Sequence, residues 1–264
     1  MKKRRVFLTH CLLLLLIVVS VSWIQDRKPA REYYQLTVYR HSTTEQEKVL
    51  DKYLENALLP AYHRMGIKHV GVFKSLANDT VAIKQLYVFL PLKSFEMAAK
   101  FPENLLKDQV YQSEGADYIN AVYTTPPYTR VETILLKAFS LAPKMQLPNL
   151  KSEKKERVYE MRSYESATEK IYQKKVHMFN EGDEIGLFKR LNFNAVFYSE
   201  VVAGSKMPNL MYMTCFENMA DRDAHWKNFV SDEQWKKLSS MQEYKNTVSR
   251  NEISLLRPTD YSDF

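Results

Sequence analysis

Residues 219 to 229 read MADRDAHWKNF, which places two aspartates, an arginine, a histidine and a tryptophan on one short stretch. At about 100° per residue on a helical wheel, Met219, Trp226, Phe229 and Val230 share one arc, the face such a helix would turn to a core. Arg222 falls inside that arc, Asp223 lies on its other side and His225 sits on the flank. A guanidinium in an apolar stripe must reach water or an anion, because a buried unpaired charge is costly. Arg222 is therefore predicted to hold a carboxylate.

The segment expected to supply it is KKVHMFNEGDEIGLFKR, where His177, Glu181, Glu184 and Phe188 recur at the spacing of one helical flank. Convergence of His177, Glu181, Glu184, Arg222 and His225, with Trp226, Tyr198 and Tyr212 as walls, would make a pocket for a small apolar or aromatic ligand. The same residues serve equally as an Arg222–Glu181 ion pair tying helix to helix, with solvated histidines. His177 and Glu181 lie one turn apart but have no evident third ligand, so no metal is expected. His69 alternates with Ile67, Gly71 and Phe73 and reads as a core histidine. Ser231, with Gln234 three positions on, reads as the cap of a short helix whose Trp235 turns inward.

Absent patterns narrow the chemistry further. The chain has no glycine-rich dinucleotide loop, phosphate-binding loop, HExxH, CxxC or GxSxG. It holds only six glycines, and no cofactor is expected.

The elements that must position these residues come as two copies. YYQLTVYR (33–40) returns as VYEMRSYE (158–165), RMGIKHVGVF (64–73) as RLNFNAVFYS (190–199), and QLYVFLPLKSFEMA (85–98) as NLMYMTCFENMADR (209–222). Three blocks in one order, about 125 positions apart, indicate duplication. Each copy reads strand, helix, strand, strand, helix, strand. In the first, a strand at 33–39 precedes a helix capped by Thr43 and Gln46 and ended by Pro60. Strands at 67–76 and 82–90 follow, then a helical region at 94–116 broken near Pro102, and a strand at 129–138. The second copy repeats this with strands at 157–164, 193–202, 209–217 and 249–256 and helices at 168–191 and from 219.

That order is the ferredoxin-like βαββαβ unit, an antiparallel sheet with both helices on one face. Two such sheets can cover each other's bare faces. The predicted fold is thus α+β, with two tandem ferredoxin-like domains, 31–140 and 157–264, packed sheet to sheet as an α+β barrel across a charged, proline-containing linker at 141–156.

The chain opens MKKRRVFLTHCLLLLLIVVSVSW, four cations followed by an apolar run, which reads as a signal peptide over 1–22 or an uncleaved N-terminal anchor. The remainder is expected to be exported, periplasmic or extracellular, and to touch a membrane only through that leader. The formal net charge of +7 falls to +3 without those cations, and no basic stripe suggests nucleic acid. Of Cys11 and Cys215 only Cys215 lies beyond the leader, where it reads as a buried strand thiol. Asn78-Asp79-Thr80 fits the glycosylation pattern.

With these residues in view, the second copy resembles a NIPSNAP domain. YEMRSY, GDEIGLFKRLNFNAVFYSE, PNLMYMTCFENMADRDAHWKNFVSDEQWKKL and the closing LLRPTDYSDF carry the resemblance from about Val158 onward. The first copy is more diverged and lacks the PNL and the Arg-to-Trp pattern. The resemblance implies a dimeric α+β barrel and picks out Glu184, Gly186, Arg222 and Trp235 as positions matching the family motif. Relatives of that fold include cofactor-free monooxygenases, haem-degrading enzymes and stress-responsive barrels, and better-studied NIPSNAP proteins are implicated in protein interaction at mitochondria.

Three functions stay open on the sequence. One is an exported module that binds a small apolar or aromatic ligand, with an unidentified activity attached. Another is a non-catalytic adaptor of the envelope. The third is haem handling or cofactor-free oxygenation, with His69, His177 and His225 as conceivable axial ligands. The sequence fits association into oligomers as well.

Overall fold

The computed structural model describes residues 30–264, so the expected leader, with Cys11, lies outside the described residues. The first strand, β1 (Tyr33–His41), leads into helix α1 (Thr44–Tyr53). Thr43 caps this helix as expected, accepting from Gln46 N–H at 3.1 Å, but the Gln46 side chain reaches one residue past the cap, where its Oε1 accepts from Ser42 N–H at 2.9 Å. Pro60 does not end this helix. One π-helical turn (Leu54–Leu58) widens the ladder ahead of the proline, which sits in the first turn of α2 (Leu59–Arg64). A proline lacks the N–H that an interior position would need, and the wider turn carries the chain past it.

Strands β2 (Gly71–Ser75) and β3 (Lys84–Leu92) follow. β2 starts later than expected, and residues 67–70 are irregular, which leaves His69 half-buried in a connection and not on a strand face. Helix α3 (Phe95–Lys107) runs through Pro102, which lies exposed on its surface, and breaks instead at Asp108. Asp108 caps α4 (Gln109–Glu114) by accepting from Tyr111 N–H at 3.0 Å. A single turn, α5 (Ala116–Ile119), precedes β4 (Arg130–Ala138).

The second copy has β5 (Val158–Glu165), α6 (Glu169–Asn180), α7 (Glu184–Arg190), β6 (Phe197–Ala203), β7 (Asn209–Phe216), α8 (Met219–Ser231), α9 (Glu233–Ser240) and β8 (Arg250–Pro258). The helix expected over 168–191 is two helices. Between them Asp183 takes a left-handed φ of 63°, and a Cβ on Gly182 would lie 2.5 Å from the Met178 carbonyl oxygen. Glycine is needed at that break. Helix α9 is capped by Asp232, which accepts from Gln234 N–H at 2.9 Å, and not by Ser231, whose hydroxyl turns back to its own helix. Asp232 thus repeats the place and role of Asp108.

All strand pairings are antiparallel, and they close in the order β1-β3-β2-β8-β5-β7-β6-β4. Within each half the order is that of a ferredoxin-like sheet, and the halves join edge to edge through β2 with β8 and β4 with β6. Closure leaves no unpaired sheet edge. Because side chains alternate along a strand, Tyr34, Leu36 and Val38 of β1 and Tyr159 and Met161 of β5 point into the barrel and form its interior cluster. The outward faces carry one further cluster under the helices of each half.

The segment 141–156 is seated on the barrel. Met145 and Leu150 pack against the interior cluster, and Gln146 N–H donates to the Val196 carbonyl at 2.9 Å. Phe264 enters the same end and is 3% exposed, with its ring centroid 5.6 Å from that of Phe73. Asn78, expected as a glycosylation position, is buried and its amide donates to the Gln85 carbonyl. No helix among the described residues is long and apolar enough to cross a membrane.

Candidate functional site

On β5, residues 160, 162 and 164 face the helices of the second half. Glu160 is wholly buried there. Its Oε1 accepts from Arg162 Nε at 2.5 Å, and its Oε2 accepts from Arg222 Nε at 2.6 Å and Trp226 Nε1 at 2.8 Å. The Arg162 guanidinium lies over the Trp226 ring, 3.6 Å from its centroid, a favourable place for a cation. Arg222 is thus paired with a carboxylate, as expected, but with the strand residue Glu160 and not with Glu181.

The break at Gly182–Asp183 explains the difference. It ends the flank on which His177, Glu181, Glu184 and Phe188 were expected to align. Glu181 lies at the surface, while Glu184 turns inward, 2% exposed, and accepts from Lys175 Nζ at 2.9 Å. His177 Nδ1 pairs with Tyr244 Oη at 2.8 Å, away from Arg222, and His225 Nδ1 pairs with the Asp221 carbonyl of its own helix. The core-facing arc of α8 is also narrower than expected. Phe229 is buried, and Trp226 packs with it, but Met219 and Val230 are exposed.

Tyr198 and Tyr212 are buried and stacked with centroids 5.8 Å apart. They belong to an aromatic layer with Phe179, Phe188, Phe193 and Phe229. Trp235 packs on Phe229 at 4.6 Å, a packing role in line with its expected inward turn. The structure therefore brings Arg222, Trp226 and the layer containing Tyr212 together and keeps the His225 ring against Phe193 and Phe216 of that layer, while Glu181 lies at the surface and His177 pairs with Tyr244. Among the described residues no three His, Cys, Asp or Glu side chains converge as metal ligands. Cys215 is buried, and burial pushes its thiol well above the ordinary value.

Electrostatically the cluster is unequal. Two guanidiniums share one buried carboxylate. Burial works against the charge on Arg162, but Tyr212, Tyr164 and Glu160 outweigh it and hold its pKa above the usual arginine value. Burial likewise opposes the charge on Arg222, which hydrogen bonds to Glu160 and Asp223 restore. Asp223 is mostly exposed, so water screens its contribution. Arg162 Nη1 donates to Tyr164 Oη at 3.1 Å and Arg222 Nη1 to Asp223 at 2.8 Å. Nη2 of each guanidinium has no hydrogen-bond acceptor among the described residues. Beside them on β8, Ile253 pairs in register with Arg162 and is exposed.

Glu160 and Arg162 were not singled out from sequence, although their signal was present. The duplicated blocks align Gln35, Thr37 and Tyr39 with Glu160, Arg162 and Tyr164. The first half keeps a neutral version: Gln35 Nε2 donates to Thr37 Oγ1 at 3.2 Å under its own helices. Charges placed on a sheet face that a helix must cover are the feature that distinguishes the second half.

Residues 159–263 match the sequence model of the NIPSNAP family. No curated protein matches the chain. Among solved structures, the chain is similar to a candidate monooxygenase from Lactobacillus acidophilus NCFM, with a TM-score of 0.54 and 9% identity over 86% of this chain and 94% of that one. It is similar also to a candidate monooxygenase from Fusobacterium nucleatum, with a TM-score of 0.55 and 7% identity over 87% and 93% of the two chains. A NIPSNAP family protein from Agrobacterium tumefaciens aligns over 44% of this chain and 98% of its own, with 18% identity and a TM-score of 0.37. At such identities the two long alignments bear on fold alone.

Proposed function

We propose that the second half of this chain, whose residues 159–263 match the NIPSNAP family model, binds a small molecule at the outer edge of the Glu160 cluster, where its sheet meets helix α8. The ligand carries an ionised carboxylate on an apolar or aromatic body. One observation carries this reading: Arg162 and Arg222 share the single buried carboxylate of Glu160, and Nη2 of each is left without an acceptor among the described residues. An unengaged Nη2 can donate a charge-assisted hydrogen bond to a carboxylate oxygen. Trp226 and the exposed Ile253 give the body of such a ligand an apolar surface beside these nitrogens. The first half, with Gln35 and Thr37 in the equivalent positions, has no counterpart, so the stoichiometry is one ligand per chain.

The purified protein would be titrated calorimetrically with indole-3-acetate and with its neutral isostere indole-3-acetamide. The acid binds at one site and the amide about tenfold or more weaker. Arg222→Gln weakens the acid by a similar factor and leaves the amide unchanged. Equal binding of acid and amide, or an acid indifferent to Arg222→Gln, refutes the reading.

A second reading, a protein-interaction module, draws support from the aromatic layer that fills the space between sheet and helices. Only its edge then meets a partner, and an acidic side chain on a protein would suit the same guanidiniums. Indole-3-acetate and its relatives would then fail to bind while a partner's acidic residues proved essential.

A further inference from the structure

The two guanidiniums of the Glu160 cluster differ in what holds their outer nitrogens. Arg162 Nη1 donates to the Tyr164 hydroxyl at 3.1 Å, and that hydroxyl pairs in turn with Tyr212 Oη at 2.9 Å. Tyr212 is wholly buried, so this partner is fixed from behind. Arg222 Nη1 donates instead to Asp223 Oδ1 at 2.8 Å. The Asp223 side chain is 63% exposed and has no other hydrogen bond or ion pair among the described residues. It is the most exposed partner in the cluster.

Helix geometry does not impose this contact. Successive residues of a helix point about 100° apart and do not face each other, so Asp223 reaches sideways around α8 to meet its neighbour. An exposed ion pair contributes little and is screened by salt, and a carboxylate arriving from solution can take the same nitrogen. Losing Asp223 would also change the shape of the site. With Nε on Glu160 and Nη1 on Asp223, Arg222 offers Nη2 alone. Without Asp223, Nη1 and Nη2 form the end-on fork that matches both oxygens of a carboxylate in one plane. Arg162 has no such fork to offer while Tyr164 holds its Nη1. The duplicated blocks align Arg222 with Ala98, and α3 has alanines at 98 and 99 where α8 has Arg222 and Asp223. The first half lacks the guanidinium and the carboxylate together.

We infer that Asp223 is a built-in competitor for the ligand: it holds Arg222 Nη1 until the ligand's carboxylate displaces it and engages Nη1 and Nη2 together. This rests on the carboxylate reading of the Glu160 cluster and adds the residue that regulates it. The displaced Asp223 turns to water, which already surrounds most of its side chain. Asp223 also selects. An anion that fills one donor gains nothing over the contact it replaces, whereas two coplanar oxygens gain the second nitrogen.

The test is calorimetric titration with indole-3-acetate of the full chain, of Asp223→Ala, of Arg222→Gln and of the double variant. Asp223→Ala binds the acid about threefold or more tighter than the parent. In the Arg222→Gln background the same substitution has no comparable effect, because Asp223 acts through the Arg222 nitrogen. Indole-3-acetamide binds the parent and Asp223→Ala alike. Acid binding that Asp223→Ala leaves unchanged or weakens overturns the competitor and leaves the carboxylate reading standing. A gain that persists in the Arg222→Gln background comes from the removed charge alone and overturns it as well. Acid binding to Asp223→Ala but not to the parent supports the competitor, and binding to neither protein overturns both readings.

Discussion

Replacing Glu160 by glutamine keeps the size and shape of the side chain and removes its charge. Glu160 accepts three hydrogen bonds, two of them from guanidiniums whose side chains are only 13% and 20% exposed. A glutamine oxygen can satisfy part of this set, and its amide N–H₂ must face a donor. Breaking a buried ion pair by removing one partner costs about 3–5 kcal/mol. Arg162 retains Tyr164 and the Trp226 ring, and Arg222 retains Asp223, so the lower end, about 3 kcal/mol, is expected for Glu160→Gln. In a chain of this size that lowers Tm by about 6–12 °C. Urea unfolding followed by tryptophan fluorescence measures the loss directly, since Trp226 sits in the cluster. The first half supplies an internal control. Adding Arg162→Thr recreates the Gln35–Thr37 pair in the second half and removes one stranded cation, so the double variant regains about 1 kcal/mol over Glu160→Gln. A Glu160→Gln protein within about 0.5 kcal/mol of the parent, or a double variant less stable than the single one, refutes this account of the cluster.

Phe264→Ala empties the floor of the barrel beneath Phe73, Phe89 and Tyr159 and costs about 3 kcal/mol by chemical unfolding; a loss below about 1 kcal/mol means the ring is not part of the core. His41 is fully buried, and burial, opposed by Glu47 and the Thr43 backbone and assisted by Lys84 and Lys74, lowers its pKa. The unfolded chain therefore takes up the proton first, and stability falls as pH drops through the ordinary histidine value of about 6.5, by at most about 1.4 kcal/mol per pH unit. Below the folded pKa the loss levels off. His41→Gln flattens this dependence between neutral pH and the carboxylate range, and an unchanged slope in the variant places the titration elsewhere.

The barrel was legible because it rests on periodicity and repetition. Alternation along 33–40 and 158–165 defines the two faces of each strand, and the repeated strand and helix order leaves two bare sheets that must cover each other. Helix ends were less legible. Whether Pro60 stops a helix depends on a π turn that no local signal announces, and whether 168–191 is one helix depends on the space around Gly182. The site inherited that uncertainty. Arg222 needed an anion on physical grounds and has one, but Glu181 lies beyond the end of α6 and Glu160 lies on a strand, so the correct partner followed only from three-dimensional placement.

The comparison of the two halves carries more than either half alone. Both face their sheet towards helices through the same three positions, and the fold tolerates the neutral Gln35–Thr37 set at one of them. Charge is therefore no requirement of the architecture. A buried ionic cluster is seldom more stable than an apolar or neutral one of like volume, so under the proposed function the Glu160–Arg162–Arg222 group serves what its two unengaged Nη2 groups would hold more than it serves stability. The Gln35–Thr37 swap tests that directly: a second half rebuilt on the neutral set should keep the barrel and lose the proposed carboxylate binding.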